Sequence, residues 1–413
     1  MFRKLVKLEE AKKIIDENFK PTPIGDEDVV LIEAYNRVLK ENVVSTLDVP
    51  PFDRSTVDGY AVKAKDTFNA DENQPVDLSI SGMVLAGEQP KMVLNKGEAI
   101  EIVTGAPLPE GADAVIMLED TERTDNQLQI YTTISPYTNV MKKGSDIKSG
   151  KTILSAGQVL GASEIGALAA LGLTSIRCFK PPIVAVLSIG NEIVEPGKPL
   201  PTGKIFDINT YSLSTAIMEC GAKPLFFNIT PDDKTALRKT LETAIASADI
   251  VITSGGVSIG PYDYTPQIVD SLGKPGVVIS GIAVKPGKPT TVAFAQDKPV
   301  FSLPGNPTAA LLMFHLLARP IILRLCGKTL SDVRSIRAFT GTKLFSAKGR
   351  RTFIMIKLEL DVEKSRLIAE PVTETSGAIT TLTNADGFIE IPENQQYINK
   401  DKEVIIKLFR NPY

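Results

Sequence analysis

The chain has one histidine among its 413 residues, which removes several common catalytic designs. His315 lies in the apolar segment PTAALLMFHLLARPIILRLCG, where a core or partner-contacting role fits better than general-base catalysis. A serine–histidine triad and a histidine-ligated zinc are therefore poor candidates. Any chemistry has to rest on carboxylates, lysines, arginines, hydroxyls and backbone amides.

Cysteine is also scarce. Cys178, Cys220 and Cys326 are far apart in sequence and form no metal-ligand pair. This usage is typical of a reducing cytoplasm and predicts no disulfide framework.

Long apolar runs and a strong charge imbalance are missing as well. The segment around His315 is broken by Arg319 and Pro320, so it falls short of the roughly 18 uninterrupted apolar residues of a membrane span. It is predicted to be a buried helix.

The N-terminal MFRKLVKLEEAKKIIDENF reads as an amphipathic helix, and Glu9 and Glu10 interrupt any signal-peptide core. A net charge of −3 and a pI near 5.6 argue against a nucleic-acid partner. A cytoplasmic protein without membrane attachment is expected.

What is present is an α/β pattern flanked by β-rich regions. The chain is 43% hydrophobic and long enough for more than one domain. Between 182 and 327, the strand-like runs IVAVLSIG, KPLFFNIT, DIVIT and PVFSLPG alternate with helical segments, which predicts a parallel sheet wound on both faces. Residues 50–140 and 330–413 carry short β-like runs, and the latter region predicts a small barrel or sandwich. The segment EIGALAALGL reads as a helix that lies between the first β-rich region and the α/β region.

Three glycine-containing loops each follow a strand of the α/β region. They are SIGNE, SGGVSIGPYD and LPGNP, and the carboxyl ends of parallel strands share one edge of a sheet. Glycine lets backbone amides approach an anion, and helix N-termini favour phosphate or another oxyanion. A single such loop is more often only a tight turn, but three together predict a binding site for phosphate, a nucleotide or another oxyanion.

Charged residues of both signs accompany these loops. Lys285 and Lys288 flank a Pro-Gly turn in AVKPGKPTT, while Glu192 and Asp263 supply carboxylates. This mixture suggests an anion bridged by a hard divalent cation, Mg²⁺ above all. Asp232 is a further metal-ligand candidate, although a helix N-cap is a strong alternative interpretation.

Seven motifs in order resemble the molybdopterin molybdenumtransferases, the MoeA family that also includes the E domain of gephyrin. They are PPFDRSTVDGYAV, TGAPLPEGADAV, KKGSDIKSG, SIGNEI, TSGGVSIGPYDY, KPGKP and LPGNP, and they span nearly the whole chain. The resemblance implies insertion of molybdate into adenylated molybdopterin, with AMP release and support from Mg²⁺. It implies a homodimer in which the Asp58 motif of one protomer meets the Asp263 loop of the other. Molybdopterin adenylyltransferase and molybdoenzyme apoproteins are possible further partners.

The resemblance also assigns candidate site residues. The catalytic candidates are Asp58, Glu192, Asp263, Lys285 and Lys288, and the metal-ligand candidates are Glu192, Asp232 and Asp263. The cofactor-binding candidates are Thr104, Ser254, Gly255, Gly256, Ser258, Pro304, Gly305, Asn306 and Ser376. Asp146 is a functional candidate without a specific role. Three positions depart from relatives: Gly281, which is lysine in some members, and Thr352 and Met355, which replace an acidic residue and an arginine.

The family organisation implies four domains. These are a discontinuous, dimer-forming N-terminal domain (1–49 and 141–179), an inserted β-rich domain (50–140), an α/β domain resembling molybdopterin adenylyltransferases (180–328), and a C-terminal β barrel-like domain (329–413). Two other functions stay open. The chain could be an enzyme of the adenylyltransferase type, which the Asp58 motif and the terminal β domain disfavour. It could also be a non-catalytic scaffold of the gephyrin type, which the retained carboxylates and lysines disfavour.

Overall fold

The computed structural model describes residues 5–256, 264–329, 335–372 and 380–409, with only the backbone of Leu382. The helices are α1 (Leu8–Asn18), α2 (Ala162–Ala170), α3 (Asn209–Glu219), α4 (Lys234–Ser247), α5 (Thr265–Ser271), α6 (Pro307–Met313), α7 (Arg319–Leu325) and α8 (Thr380–Asn384). A π-helical turn, Phe314–Ala318, joins α6 to α7. Short 3₁₀ turns occur at Leu31–Glu33, Ala64–Thr67 and Leu118–Asp120.

The strands fall into two sets along the chain. The first set is β1 (Asp26–Val30), β2 (Val43–Val44), β3 (Arg54–Ser55), β4 (Gly59–Val62), β5 (Val76–Val84), β6 (Glu98–Ile102), β7 (Ala114–Met117), β8 (Thr121–Thr124), β9 (Gln127–Ile130), β10 (Val140–Met141), β11 (Thr152–Leu154) and β12 (Ser175–Phe179). The second set is β13 (Ile183–Ser188), β14 (Ile193–Val194), β15 (Ile205–Phe206), β16 (Lys223–Phe226), β17 (Ile250–Ser254), β18 (Gly276–Ser280), β19 (Val284–Lys285), β20 (Thr291–Ala295), β21 (Lys298–Leu303), β22 (Ser335–Thr340), β23 (Leu344–Phe345), β24 (Arg351–Asp361), β25 (Arg366–Pro371), β26 (Gly387–Ile391), β27 (Tyr397–Ile398) and β28 (Glu403–Leu408).

The chain forms two compact units. The first unit comprises Met1–Asp28, Asn36–Lys40 and Arg177–Tyr413, and the second comprises Val29–Tyr35 and Glu41–Ile176. The boundaries of the four domains expected from the sequence stay a prediction.

The core of the first unit is a six-stranded sheet in the order β16-β13-β17-β21-β20-β18. Strands β16, β13, β17 and β21 are parallel, while β20 runs antiparallel to both β21 and β18. The predicted α/β class is confirmed, with one antiparallel strand that the sequence did not indicate. Buried side chains line both faces of the sheet because alternate residues of strands such as β13 enter two different core clusters.

The helices pack on this sheet through apolar stripes. In α4, Leu237, Leu241, Ala244 and Ile245 are buried, which is the three-to-four-residue spacing of one helical face. The stretch Pro307–Leu325 is long and apolar enough to cross a membrane by length and composition, but 72% of that window is buried inside the protein. Burial of this kind is typical of a core helix, as the sequence predicts. Burial also lowers the pKa of His315 to about 3, so this imidazole stays neutral at physiological pH.

A closed barrel completes the first unit. Strands β24, β25, β22, β28 and β26 pair in this order, and β24 also pairs with β26, which closes the ring. The predicted C-terminal barrel is thereby confirmed. The second unit is built on a separate mixed sheet in the order β7-β4-β6-β5-β9-β8, with one buried cluster on each face.

Arg351 holds a charged network within the first unit. Its guanidinium lies 2.7 Å from Glu9 of α1, 2.9 Å from Glu390 of β26 and 3.2 Å from Glu393. The Arg351 side chain is only 16% exposed, so these pairs are screened less than surface ion pairs. The network therefore ties the N-terminal helix to the barrel.

We expect Arg351→Met to lower the free energy of unfolding by about 2 kcal/mol, because it removes the partly buried cation that three carboxylates share and leaves each with only a more exposed lysine, Lys12, Lys407 or Lys7. The matched control is Arg337→Met, since Arg337 is 75% exposed and faces Glu403 at 3.6 Å. Differential scanning calorimetry measures both variants. Equal melting temperatures for the two variants would show that the Arg351 network does not stabilise the unit.

The difference in the free energy of unfolding between wild type and Arg351→Met should become smaller as the pH falls into the acid range. Partial burial works to raise the pKa of Glu9, but Lys12 and Arg351 outweigh it and lower the pKa below 4.5. The pKa of Glu393 is lowered by its own backbone amide and by Arg351. Groups with a lowered folded pKa stabilise above the unfolded pKa, and this contribution is lost as pH falls through the folded value.

Candidate active site

Three loops meet at one edge of the first unit's sheet because three parallel strands end in register. Ser188 at the end of β13 is the partner of Ser254 in β17, and Ser254 is the partner of Leu303 in β21. The next residues continue this ladder, since Ile189 donates to the Ser254 carbonyl at 2.9 Å and Gly255 donates to the Leu303 carbonyl at 3.2 Å. The loops SIGNE, SGG and LPGNP thus leave the sheet side by side.

The lysine loop lies at the same edge. Strand β18 is parallel to β21, because each pairs antiparallel with β20, and the lysine loop connects β18 to β20. Lys285 is exposed and Lys288 is partly buried in this connection. Lys285 also pairs through its backbone with Thr352 of the barrel. A fourth, cationic loop therefore accompanies the three glycine-containing loops.

Gly255 occupies a position that only glycine fits. Its φ is +87°, and a Cβ there would lie 2.2 Å from the carbonyl oxygen of Ile189. The neighbouring Gly256 also has a positive φ, +66°. These two glycines let the β17 loop turn tightly against the β13 loop, which leaves bare backbone at the edge of the sheet.

A buried polar group links the β17 and β21 loops. The side-chain amide of Asn209 donates to Ser254 Oγ at 2.7 Å and to the Gly305 carbonyl at 2.8 Å. Ser254 Oγ in turn lies 3.3 Å from the carbonyl oxygen of Pro304, to which it donates. Ser254, Pro304 and Gly305 are thus brought together, as their assignment to one site requires.

The β21 loop leads directly into a capped helix. Asn306 is the N-cap of α6, and its side-chain oxygen accepts from the Ala309 amide at 3.1 Å. Pro307 occupies the first turn, where the missing N–H has no cost. The geometry gives Asn306 a capping role in addition to its predicted place at the site.

The carboxylates Glu192 and Asp232 lie on two loops that are joined by Asn191. The Asn191 amide donates to Asp232 Oδ2 at 3.1 Å, and the Asp232 amide donates to Asn191 Oδ1 at 3.2 Å. Glu192 folds back over Gly190, where an added Cβ would meet its carboxylate at 2.6 Å. Lys204 Nζ donates to the Asn191 carbonyl. Two carboxylates and a cation therefore surround the turn after β13.

The N-cap interpretation of Asp232 is wrong. Asp233 caps α4, since its side chain accepts from the Thr235 amide at 3.1 Å and from the Ala236 amide at 2.8 Å. Only one of two adjacent aspartates can take the cap position, and the preference for aspartate at an N-cap does not distinguish them. The Asp232 carboxylate is consequently not needed to cap the helix.

Asp58 and Thr104 form a separate pair in the second unit. The backbone amide and the hydroxyl of Thr104 both donate to Asp58 Oδ1, at 2.7 and 2.9 Å. These two bonds lower the pKa of Asp58, the backbone one most. The next residue, Gly59, has no room for a side chain, because a Cβ there would lie 1.8 Å from the Ile116 carbonyl oxygen of β7.

Asp146 is exposed, and its backbone amide donates to the Val49 carbonyl at 3.1 Å.

Some predicted residues lie elsewhere. Asp263, Ser258 and Ser376 fall outside the described residues. Within the described ranges, no group of three or more His, Cys, Asp or Glu side chains could hold a metal ion. Thr352 and Met355 are both buried. The Thr352 hydroxyl accepts from the Ala347 amide at 2.9 Å, and Met355 belongs to the main core cluster. Both departures from the family pattern therefore have structural roles.

The sequence reasoning missed three polar residues of this edge, Lys204, Asp207 and Asn209. The carboxylate of Asp207 accepts from the Ser188 hydroxyl at 2.9 Å and from the Thr210 amide at 3.0 Å, and both Asp207 and Asn209 are buried. The signal was the run FDINT, which places an aspartate and an asparagine just before an apolar helix pattern. An Asx residue at that position is expected to interact with nearby backbone amides.

We expect Gly255→Ala to destabilise the first unit by about 2–4 kcal/mol, because strain at positive φ adds to a clash with the backbone. The control is Gly197→Ala, which has a φ of +88° with no atom within 4 Å of the added Cβ. That variant should lose only about 1 kcal/mol. Chemical denaturation compares them, and equal losses would show that the loops are not held in contact as described.

We expect Thr104→Val to raise the pKa of Asp58 toward its ordinary value of 3.8, because one of two donors to the carboxylate is removed. Thr124→Val is the control, since Thr124 is exposed on β8 of the same sheet. Carbon-13 NMR titration of labelled aspartate follows the carboxyl group. An unchanged pKa in Thr104→Val would contradict the hydroxyl–carboxylate bond.

Three family models cover most of the chain. The MoeA N-terminal region (domain I and II) matches residues 6–172, the probable molybdopterin binding domain matches 185–324, and the MoeA C-terminal region (domain IV) matches 337–409.

Whole-length relatives agree with these matches. The molybdopterin molybdenumtransferase of Nostoc sp. (strain PCC 7120) is 37% identical over 94% of this chain and 91% of its own length. That of Bacillus subtilis (strain 168) is 32% identical over 92% of this chain and 89% of its own. The crystal structure of a molybdopterin biosynthesis MoeA protein from Pyrococcus horikosii is 43% identical, with a TM-score of 0.80 over 99% of this chain and 100% of that one. The chain therefore belongs to the MoeA family of molybdopterin molybdenumtransferases.

Proposed function

We propose that this protein inserts molybdate into adenylated molybdopterin with release of AMP, a late step of molybdenum cofactor biosynthesis. The observation that carries the proposal is the meeting of three glycine-containing loops and one lysine loop at a single edge of the α/β sheet. Relatives named for the transfer of molybdenum to molybdopterin match over almost the whole chain, which supports the same reaction class.

The edge suits two anions, molybdate and the pyrophosphate linkage of the adenylate. The bare backbone of Gly255 and Gly256 lets an anion approach closely, and Gly256 supplies the amide donor because the Gly255 amide is already bonded to the Leu303 carbonyl. Lys285 and Lys288 supply positive charge on the neighbouring loop, where charge-assisted hydrogen bonds to oxyanions are strong. We assign Gly256, Lys285 and Lys288 to holding the anionic oxygens, and Gly255 to the close approach of the backbone.

The reaction divides into two changes. Water attacks one phosphorus atom of the pyrophosphate linkage between AMP and molybdopterin phosphate, and the bond from that phosphorus to the bridging oxygen breaks. One product keeps the bridging oxygen, the other takes the oxygen of water, and AMP is released. The two dithiolene thiols then form bonds to molybdenum and displace one molybdate oxygen, which takes both thiol protons and leaves as water. Glu192 and Asp263 are proposed to orient water and molybdate, and a carboxylate near a dianion has to be protonated or bridged by a cation. Asp58, Thr104 and Ser376 are proposed as further substrate contacts.

Magnesium fits the donor set of the carboxylate loops. Mg²⁺ is bound in enzymes through one or two carboxylates together with substrate phosphates and water. Glu192 and Asp232 are hard oxygen donors on loops joined by reciprocal hydrogen bonds to Asn191, and Asp263 is the third candidate. When bound, Mg²⁺ would offset phosphate charge and polarise the pyrophosphate.

Assembly and location are part of the proposal. We propose a cytoplasmic homodimer that receives its substrate from a molybdopterin adenylyltransferase and delivers product to molybdoenzyme apoproteins. We also propose that the chain has four domains, and that residues 1–49 and 141–179 form the domain through which the dimer assembles.

The test is a reconstituted assay with purified protein, adenylated molybdopterin, MgCl₂ and sodium molybdate, in which AMP and metallated cofactor are both quantified. We expect Lys285→Met to lower kcat/KM on the order of 100-fold, because one preorganised cation for the anionic oxygens is lost. The control is Lys239→Met, since Lys239 is exposed on α4. Release of no AMP from substrate that a known enzyme of this family turns over would contradict the proposal.

A further inference from the structure

Asn209 has a buried side-chain oxygen without a partner at the centre of the loop cluster. The residue is only 7% exposed, and Oδ1 accepts no hydrogen bond within the part of the chain that the structure describes. A buried polar atom without a partner is costly, and native proteins leave few of them. Such an atom at the edge where the site loops meet points to a missing donor.

The orientation of the amide is fixed by its other contacts. The Gly305 carbonyl can only accept, so the NH₂ group of Asn209 has to face it, at 2.8 Å. The same NH₂ donates to Ser254 Oγ at 2.7 Å. Oδ1 is therefore the atom left over, and exchanging the two amide atoms would set two acceptors against each other at Gly305.

The two halves of the amide have different surroundings. The NH₂ group joins the end of β17 at Ser254 to the loop after β21 at Gly305, and the Ser254 hydroxyl extends the link to Pro304. Asn209 is itself the first residue of α3, on the segment that follows β15. One side chain thus connects three separate parts of the site.

We propose that Asn209 is a positioning residue that holds the β17 and β21 loops in register through its NH₂ group and accepts, through Oδ1, an N–H group from the heterocycle of the substrate. The acceptor half of this inference rests on the proposed function. Both the pterin and the adenine of adenylated molybdopterin carry N–H donors, and a site built around such a bond discriminates strongly against ligands without it. The loop-holding half needs no ligand.

Two variants of α3 form a matched pair. Asn209→Leu keeps approximate size and removes both polar atoms. Ser214→Ala is the control, because Ser214 is also buried on α3 and its hydroxyl is likewise without a hydrogen-bond partner in the described chain. Asn209→Asp is a second test variant that keeps Oδ1 but replaces the NH₂ donor by an acceptor facing Gly305.

Hydrogen–deuterium exchange of the ligand-free protein tests the loop-holding half. We expect faster exchange than in wild type at Gly255 and at the end of β21 in both Asn209→Leu and Asn209→Asp, and no change in Ser214→Ala. Wild-type exchange at these sites in a folded Asn209 variant would overturn this half. If Asn209→Leu does not fold, Asn209→Asp decides the question.

Equilibrium binding of two probes, molybdopterin and AMP, tests the acceptor half. Asn209→Leu should weaken the binding of one probe about tenfold, which corresponds to about 1.4 kcal/mol and to one buried hydrogen bond. The probe affected identifies the heterocycle, and Ser214→Ala should bind both as wild type does. Unchanged binding of both probes to Asn209→Leu overturns the acceptor role. Failure of the wild type to bind either probe contradicts the proposed function and the acceptor role together, while the exchange experiment still decides the loop-holding role.

Discussion

The candidate active site depends on three parallel strands that end at the same level. Ser188, Ser254 and Leu303 are register partners across β13, β17 and β21, so the loops that follow them leave the sheet side by side. The contacts between these loops depend on this alignment. Gly255 turns under the Ile189 carbonyl, Asn209 reaches both Ser254 and Gly305, and the β18–β20 connection adds its lysines at the same edge.

Local polar bonds then convert aligned strand ends into fixed loops. The cap at Asn306, the cap at Asp233 and the reciprocal pair of Asn191 and Asp232 each satisfy backbone amides at an element boundary. Bonds of this kind restrain the loops before a ligand binds, which is what preorganised stabilisation of an anion requires. The same logic applies in the second unit, where Thr104 holds the Asp58 carboxylate in its charged form.

The sequence predicts the classes of structure well and the partners of individual side chains poorly. Alternation of apolar strands with amphipathic helices predicts the α/β sheet, the helical patterns of the N-terminal segment and of EIGALAALGL predict α1 and α2, and short β-like runs predict the barrel. The antiparallel strand β20 carries no such signal, because a buried apolar run of five residues has no direction of its own. The exchange of roles between Asp232 and Asp233 shows the same limit, since one residue of offset decides which carboxylate caps the helix.

Asn209 shows why part of the site was missed. Its contacts are to residues 45 and 96 positions away, and no local pattern encodes a bond across such separations. The glycine loops were found because their composition is unusual over several adjacent residues, whereas one asparagine at a helix start is common. Predicting a single buried amide requires knowing which strands lie side by side.

We propose that the metal oxyanion binds at the edge formed by the β13, β17 and β21 loops. The most direct measurement is an anomalous difference map from crystals of the protein soaked with adenylated molybdopterin and molybdate. We expect a molybdenum peak at this edge, between the loops that carry Gly190, Gly255 and Gly305. A molybdenum peak at any other part of the first unit, in crystals shown to release AMP, would contradict it.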